Sequence, residues 1–185
     1  MADFDQVTLF QLVTDSDTIF LGEVLEAGAD NFRVRMAELV KGREIASELL
    51  ILSAESAPPG AQVVIFATRQ SGKGFRPLGF AGEGVLAVED GMVILESLKG
   101  TGKAAQDIGS RGEIVRGYPV PLDAFAGALI GFFQCYSQPS SEQPERASGH
   151  TISRTCNDGD LDAFNSQPWP AGYFADIARK LTEDH

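Results

Sequence analysis

The sequence predicts an α+β fold: a small curled antiparallel β-barrel of five to six strands, followed by a C-terminal helical region. Three observations carry this. Up to about residue 118, short apolar runs are separated by turn residues, whereas beyond Pro121 the apolar positions recur at helical spacing. The chain of 185 residues contains 20 Gly and 9 Pro, a supply of turn formers that suits short strands better than a helical bundle. One predicted strand also slips phase at Ala37–Glu38, which either a β-bulge or a frayed strand end would produce; a bulge is how sheets bend into barrels. The expected division is residues 1–118 for the barrel with a short N-terminal helix and 119–185 for a helical extension packed on it, with a flexible loop at about 137–150.

Val7, Phe10 and Val13 share one face of a short helix within 4–13, although Val-Thr-Leu-Phe also suits an extended segment. Thr14-Asp15-Ser16-Asp17 ends it, because these side chains hydrogen-bond their own backbone. Thr18 to Ala27 forms the first strand, and Gly28, Asp30 and Asn31 turn it into Phe32–Val40, where Phe32, Val34 and Met36 face inward between Arg33 and Arg35. Ile45, Leu49 and Ile51 line one face of a strand within 44–52, which Pro58-Pro59-Gly60 stops. The apolar run of Gln62–Arg69 marks a strand covered on both faces. Ser71 to Gly74 reads as a mobile loop, and Asp90-Gly91 joins strands at 84–89 and 92–96 as a tight hairpin. Glu113 to Val115 is a last short strand. Leu122, Phe125, Leu129, Phe132 and Tyr136 then fall on one helical stripe, with Pro121 suited to its first turn. Gly127 and Gly131 weaken this helix but would let it approach a sheet closely. A final helix from Pro170 uses Phe174, Ile177, Ala178 and Leu181.

Ser16-Asp17, the apolar strand ending near Val24, the strand around Phe32-Arg33-Val34 and the pair Lys41-Gly42 resemble the netrin-like domain. The likeness continues through Pro59-Gly60, Val63 to Ala67 and Gly79 to Gly84, so that it spans residues of about 16–91. The resemblance implies an OB-fold barrel, as in tissue inhibitors of metalloproteinases. It does not carry their activity, because those inhibitors chelate the protease zinc through an N-terminal cysteine. Met1-Ala2-Asp3 lacks one, and no cysteine precedes Cys135.

Asp and Glu number 26 against 15 Lys and Arg, a formal charge of −11. Such a field repels phosphate backbones, and no basic cluster interleaved with aromatics offsets it, so no nucleic-acid partner is expected. No apolar run is long enough to span a bilayer, and membrane insertion is not expected. The N-terminus shows no signal peptide; the compartment is extracytoplasmic if a targeting segment has been removed and cytoplasmic otherwise.

The chemistry-bearing residues argue against catalysis. Cys135 and Cys156 bracket the loop and either form a disulfide, which would contribute about 3 kcal/mol by closing roughly 20 residues, or are two separately buried thiols. With His150 and Asp158 they match no common zinc spacing. Asn157 to Asp162 is acidic but fails the calcium-loop pattern, and Asp158 or Asp160 instead suits a helix cap ahead of Ala163 and Phe164. Lys99-Gly100-Thr101-Gly102-Lys103 lacks the first glycine and the magnesium-binding hydroxyl of a phosphate loop. There is no Gly-x-Ser-x-Gly elbow, and the histidines are His150 and His185. No catalytic residue, cofactor or metal ligand is therefore assigned. Trp169, Phe75 and Phe80 are candidate interaction aromatics, Trp169 being framed by two prolines; packing of the last helix is the other role open to it. The expected function is a non-catalytic module that binds another protein. The alternatives are a small hydrolase whose carboxylates meet only in the fold and a structural subunit.

Overall fold

The structure, a computed structural model, describes residues 7–43, 46–54, 57–79, 82–96, 99–110, 113–137 and 152–183. The chain divides into two compact units, residues 1–122 and 123–185.

The first unit opens with helix α1 (Leu9–Asp15), which starts later than the apolar spacing suggests because Thr8 caps it. The Thr8 hydroxyl accepts from the Gln11 N–H at 3.1 Å, and the Gln11 side chain accepts from the Thr8 N–H at 2.9 Å. Five strands follow and close a barrel: β1 (Thr18–Ala27), β2 (Phe32–Lys41), β3 (Glu48–Ile51), β4 (Gln62–Gln70) and β5 (Gly74–Pro77). Their order around the barrel is β1-β2-β3-β5-β4, with β4 returning to pair with β1. All seams are antiparallel except β3–β5, which is parallel at Ile51 and Phe75.

Alternation explains the interior. Phe20 and Val24, Phe32 and Val34, Leu49 and Ile51, and Val63, Ile65 and Ala67 meet in one buried cluster with Phe75. β4 is buried on its other face too, at Val64 and Phe66, as its unbroken apolar run implies. Helix α1 lies against β4, and its Leu9, Leu12 and Val13 are buried. Curvature comes from three irregularities between β1 and β2, which leave Val40, Ala37 and Leu25 without partners in the register. The one at Ala37 is where the apolar pattern slips phase. Beside it, a Cβ on Gly22 would stand 2.6 Å from the Arg35 carbonyl oxygen, so only glycine lets β1 and β2 approach there.

The sheet continues antiparallel through β6 (Val85–Glu89), β7 (Met92–Leu95), β8 (Gln106–Ser110) and β9 (Glu113–Pro121), in the order β4-β6-β7-β9-β8. The β6–β7 turn places Asp90 and Gly91 at φ 48° and 75°, the geometry a two-residue hairpin requires. Ser71 to Lys73 form a turn that leads directly into β5.

The second unit consists of α2 (Leu122–Cys135, its first residue belonging to the first unit), the short ladder β10 (Tyr136–Ser137) with β11 (Ser153–Arg154), α3 (Asp158–Asn165) and α4 (Ala171–Glu183). Phe132 is its centre, with ring centroids 5.3 Å from Tyr136 and 5.7 Å from Phe174. Gly131 faces a helix and not a sheet: a Cβ there would lie 2.7 Å from Cδ2 of Phe164 in α3. Gly127 is looser, its nearest atom being Oε1 of Gln167 at 3.9 Å. The cap of α3 is Asn157, whose side chain accepts from the Asp160 N–H at 2.9 Å. Asp158 and Asp160 sit in the first turn, where the positive end of the helix dipole favours carboxylates. The expected flexible loop at 137–150 lies, apart from Ser137, outside the described residues.

Candidate functional site

A cavity of about 390 Å3 lies within the second unit. Three short pieces of chain build it, each by its own periodicity. The β10–β11 ladder pairs Tyr136 directly with Arg154 and so sets both side chains at one edge. Cys135, one residue before Tyr136, and Cys156, two residues after Arg154, stand at disulfide-bonding distance with Cα atoms 4.5 Å apart. The Thr155 N–H donating to the Cys135 carbonyl at 2.8 Å reinforces the same link. From α3, Leu161 and Asn165 enter at i and i+4. From α4, Gly172, Ala175, Asp176, Arg179 and Thr182 form a stripe on one face, while Phe174 and Ala178 on the adjoining face are fully buried.

The floor is Tyr136 and Ala175, both buried, and the rim is Arg154, Asn165, Asp176 and Arg179, all exposed. Burial pushes the Tyr136 phenol above its ordinary pKa, and the nearby positive charges of Arg154 and Arg179 pull against that push. Both guanidinium groups line the same cavity as Tyr136. Arg154 is oriented by donating through Nε to the Cys156 carbonyl at 3.0 Å and through Nη2 to the Asp158 carboxylate. Arg179 donates to Asp176 at 3.2 Å, one turn back along α4. Thr182 donates its hydroxyl proton to the Arg179 carbonyl at 2.9 Å.

Chemically, this cavity can hold a ligand but has little with which to attack one. Among the described residues its carboxylates, Asp176 in the lining and Asp158 beside Arg154, are both ion-paired to arginines, and the Thr182 hydroxyl donates to a backbone carbonyl. Among the described residues no group of three or more His, Cys, Asp and Glu side chains could hold a metal ion. No helix among them is long and apolar enough to cross a membrane.

The residues singled out from the sequence are distributed as follows. Cys135 and Cys156 come together beside the cavity. Phe75 is 4% exposed, in the barrel core, with the Arg69 guanidinium 4.9 Å from its ring centre, so it presents no free anchor. Trp169 is half-buried, its ring 6.4 Å from that of Tyr173. Phe80 and His150 lie outside the described residues. Arg154 and Arg179 escaped sequence reasoning. For Arg179 the local signal is the i, i+3, i+4, i+7, i+10 stripe of small and polar residues on α4; Arg154, in the two-residue strand β11, has no such pattern around it.

Ser16, Asp17 and the Lys41-Gly42 pair form a clasp on the end of α1. Lys41 donates to the carbonyl oxygens of Val13 (3.2 Å) and Thr14 (3.1 Å) at the end of α1, which otherwise lack helical partners. The Ser16 hydroxyl donates to the Leu12 carbonyl, and the Arg69 N–H donates to the Asp17 carboxylate at 3.2 Å. Gly42 follows at φ 116°, with its Cβ position 3.1 Å from the Thr18 hydroxyl. Burial lowers the Lys41 pKa to about 8, against the upward pull of Asp17 and Asp15.

Comparison with protein-family models, curated proteins and solved structures finds no match.

Proposed function

We propose that this protein is a non-catalytic interaction module: an OB-like, netrin-like barrel joined to a disulfide-tied helical unit whose cavity receives part of a protein partner. The observation that carries the reading is the makeup of that cavity. It offers fixed hydrogen-bond donors on a buried floor and an exposed rim, and its two neighbouring carboxylates, Asp158 and Asp176, are each exposed and already ion-paired to an arginine, so that neither is free. Hydrolysis by paired carboxylates needs two of them, one held protonated and one free. The OB-like reading is supported by the strand order β1-β2-β3-β5-β4 with its parallel β3–β5 seam. An oxidising, extracytoplasmic setting is favoured by the Cys135–Cys156 pairing, since such bonds persist there.

The test is capture by the full chain from an extract, identification of the bound protein, and calorimetry with that partner purified. Hydrogen exchange of the binary complex should show protection at residues 152–165 and along α4. Gly172→Leu should abolish the complex: a Cβ at Gly172 meets nothing within 4 Å, so a larger side chain has room to start into the cavity that Gly172 lines, and leucine suits a helix better than glycine. Undiminished binding by this variant, or turnover of ester, amide or phosphoester substrates that Gly172→Leu abolishes, would overturn the proposal.

A further inference from the structure

We infer that the group received by this cavity is a carboxylate on a short hydrocarbon stem, held between Arg154 and Arg179. The inference rests on the cavity being a binding site, as proposed above, and adds the chemistry of what enters it.

In a chain of net charge −11, two guanidinium groups flanking one buried phenol are a local exception to the surrounding field. Each carries five N–H donors in a planar fork, which matches the two oxygens of a carboxylate. The hydrogen bonds found for them use only part of that capacity: Nε and Nη2 of Arg154, and Nη2 of Arg179. Their carboxylate partners are surface groups, Asp158 at 92% and Asp176 at 68% side-chain exposure. Ion pairs so exposed contribute little, and an incoming carboxylate can share or displace them at small cost. The Tyr136 hydroxyl and the Asn165 amide add uncharged donors at the floor and the rim. Leu161 and Ala175 supply the apolar wall against which a stem of two or three methylenes would lie. A volume near 390 Å3 is at the small end of ligand pockets and has room for an acidic side chain or a small diacid.

Charge count favours a carboxylate over a phosphate. With Asp158 and Asp176 beside the two arginines, the rim is close to neutral before anything binds. A monoanion is accommodated by re-pairing, whereas a dianion adds a repulsion that the field of the whole chain reinforces.

Two sources carry this chemistry, a free dicarboxylate and an acidic side chain of a protein, and the experiment separates them. The full-length, oxidised protein is titrated by NMR with glutarate, with inorganic phosphate, and with a capped peptide containing one Glu beside its Gln counterpart. Saturable shifts confined to residues 136, 152–165 and 172–182 are expected with glutarate and the Glu peptide. The Gln peptide should bind about tenfold more weakly, a difference of about 1.4 kcal/mol, since hydrogen bonds to a charged group are stronger than those to a neutral one. Arg154→Gln and Arg179→Gln should each weaken glutarate by a similar factor, and Gly172→Leu, which keeps both arginines, should abolish it. Because Gly172→Leu is expected to fold, the proposal remains testable if an arginine variant does not.

Phosphate binding tighter than glutarate, equal affinity for the Glu and Gln peptides, or glutarate binding untouched by Gly172→Leu would each overturn the assignment. A purified partner that binds at the cavity while glutarate and the Glu peptide do not would overturn the carboxylate but leave the interaction module intact. Glutarate binding with the Glu peptide excluded would do the reverse, assigning the carboxylate to a free small molecule and removing the protein-binding reading.

Discussion

The two units solve the problem of stability differently, and the difference decides where a site can lie. In the barrel, alternation along β1 to β4 sends every second side chain into one apolar cluster, and each strand's backbone is paired on both edges by its neighbours. The second unit has about 60 residues, a size at which apolar burial alone is marginal. It gathers three helices around the cluster of Phe132, Tyr136, Phe164 and Phe174 and closes itself with the Cys135–Cys156 bridge. The barrel spends its side chains on a filled interior. The smaller unit, drawn together by a covalent link, leaves a cavity between α3, α4 and the short ladder. The binding chemistry falls in the region less determined by local pattern.

The comparison is broken most severely by emptying the barrel. Phe20 is fully buried at its centre. Phe20→Ala should cost about 3–5 kcal/mol, by lost transfer energy and the cavity left behind. Urea denaturation measures the loss, and hydrogen exchange should place it in β1 to β5. A cost below 1 kcal/mol would show that the cluster does not support the barrel.

The bridge comes next. Cys135 and Cys156 are 21 positions apart, and replacing both by Ser should cost about 3 kcal/mol. The loss should appear as faster exchange in β11, α3 and α4, with the barrel strands unchanged. Glutarate binding should fall with it, because the bridge flanks the Tyr136–Arg154 pair. Unchanged exchange in α3 and α4 would mean that aromatic packing suffices to hold the cavity walls.

What the sequence discloses follows the same division. β1 was legible to the residue and the bulge at Ala37 to the position, because alternation reports the buried face directly. β5 was not: Gly74-Phe75-Arg76-Pro77 has one apolar residue and no period, and is a strand because β4 and β3 pair with it. For the same reason Phe75 reads from the sequence as a candidate interaction aromatic and is a core residue. In the second unit the helices α2 and α4 were visible as apolar stripes, but the cavity was not. Arg154 and Arg179 are 25 positions apart, and nothing local couples them. Only the ladder at Tyr136 and the helix stripe from Gly172 to Thr182 bring them to one rim.

Two glycines in α2 sharpen the contrast within the smaller unit. At Gly131 a methyl group would stand 2.7 Å from the Phe164 ring, and at Gly127 it meets nothing closer than 3.9 Å. Gly131→Ala should therefore lose about 1–3 kcal/mol by overpacking. Gly127→Ala should gain up to about 1 kcal/mol from helix propensity. Opposite signs in paired thermal melts are the expected result; the same sign at both would show that α3 yields and that α2 is not tightly packed against it.

The smallest effect separates the units by pH. Lys41 clasps α1 in the barrel unit, with its pKa lowered by burial from 10.5 to about 8. Unfolded, it keeps its proton to about pH 10.5, so between pH 8 and 10.5 the unfolded chain binds more protons, and rising pH favours the folded barrel. The penalty for burying the ammonium is fully present below pH 8 and relieved by pH 10.5. Its size is on the order of 1–2 kcal/mol, less than the full shift implies because the site is partly open to water. Tyr136 in the second unit has the opposite sign. Burial raises its pKa, so the unfolded phenol ionises first and stability is lost as pH climbs past the ordinary tyrosine range. Exchange rates at pH 7.5, 9 and 10.5, corrected for intrinsic chemistry, should thus show the barrel strands slowing relative to Lys41→Met while α3 and α4 quicken relative to Tyr136→Phe. A barrel whose pH response matches that of Lys41→Met would mean that the Lys41 ammonium is as well solvated folded as unfolded. The clasp would then orient α1 without any cost in desolvation.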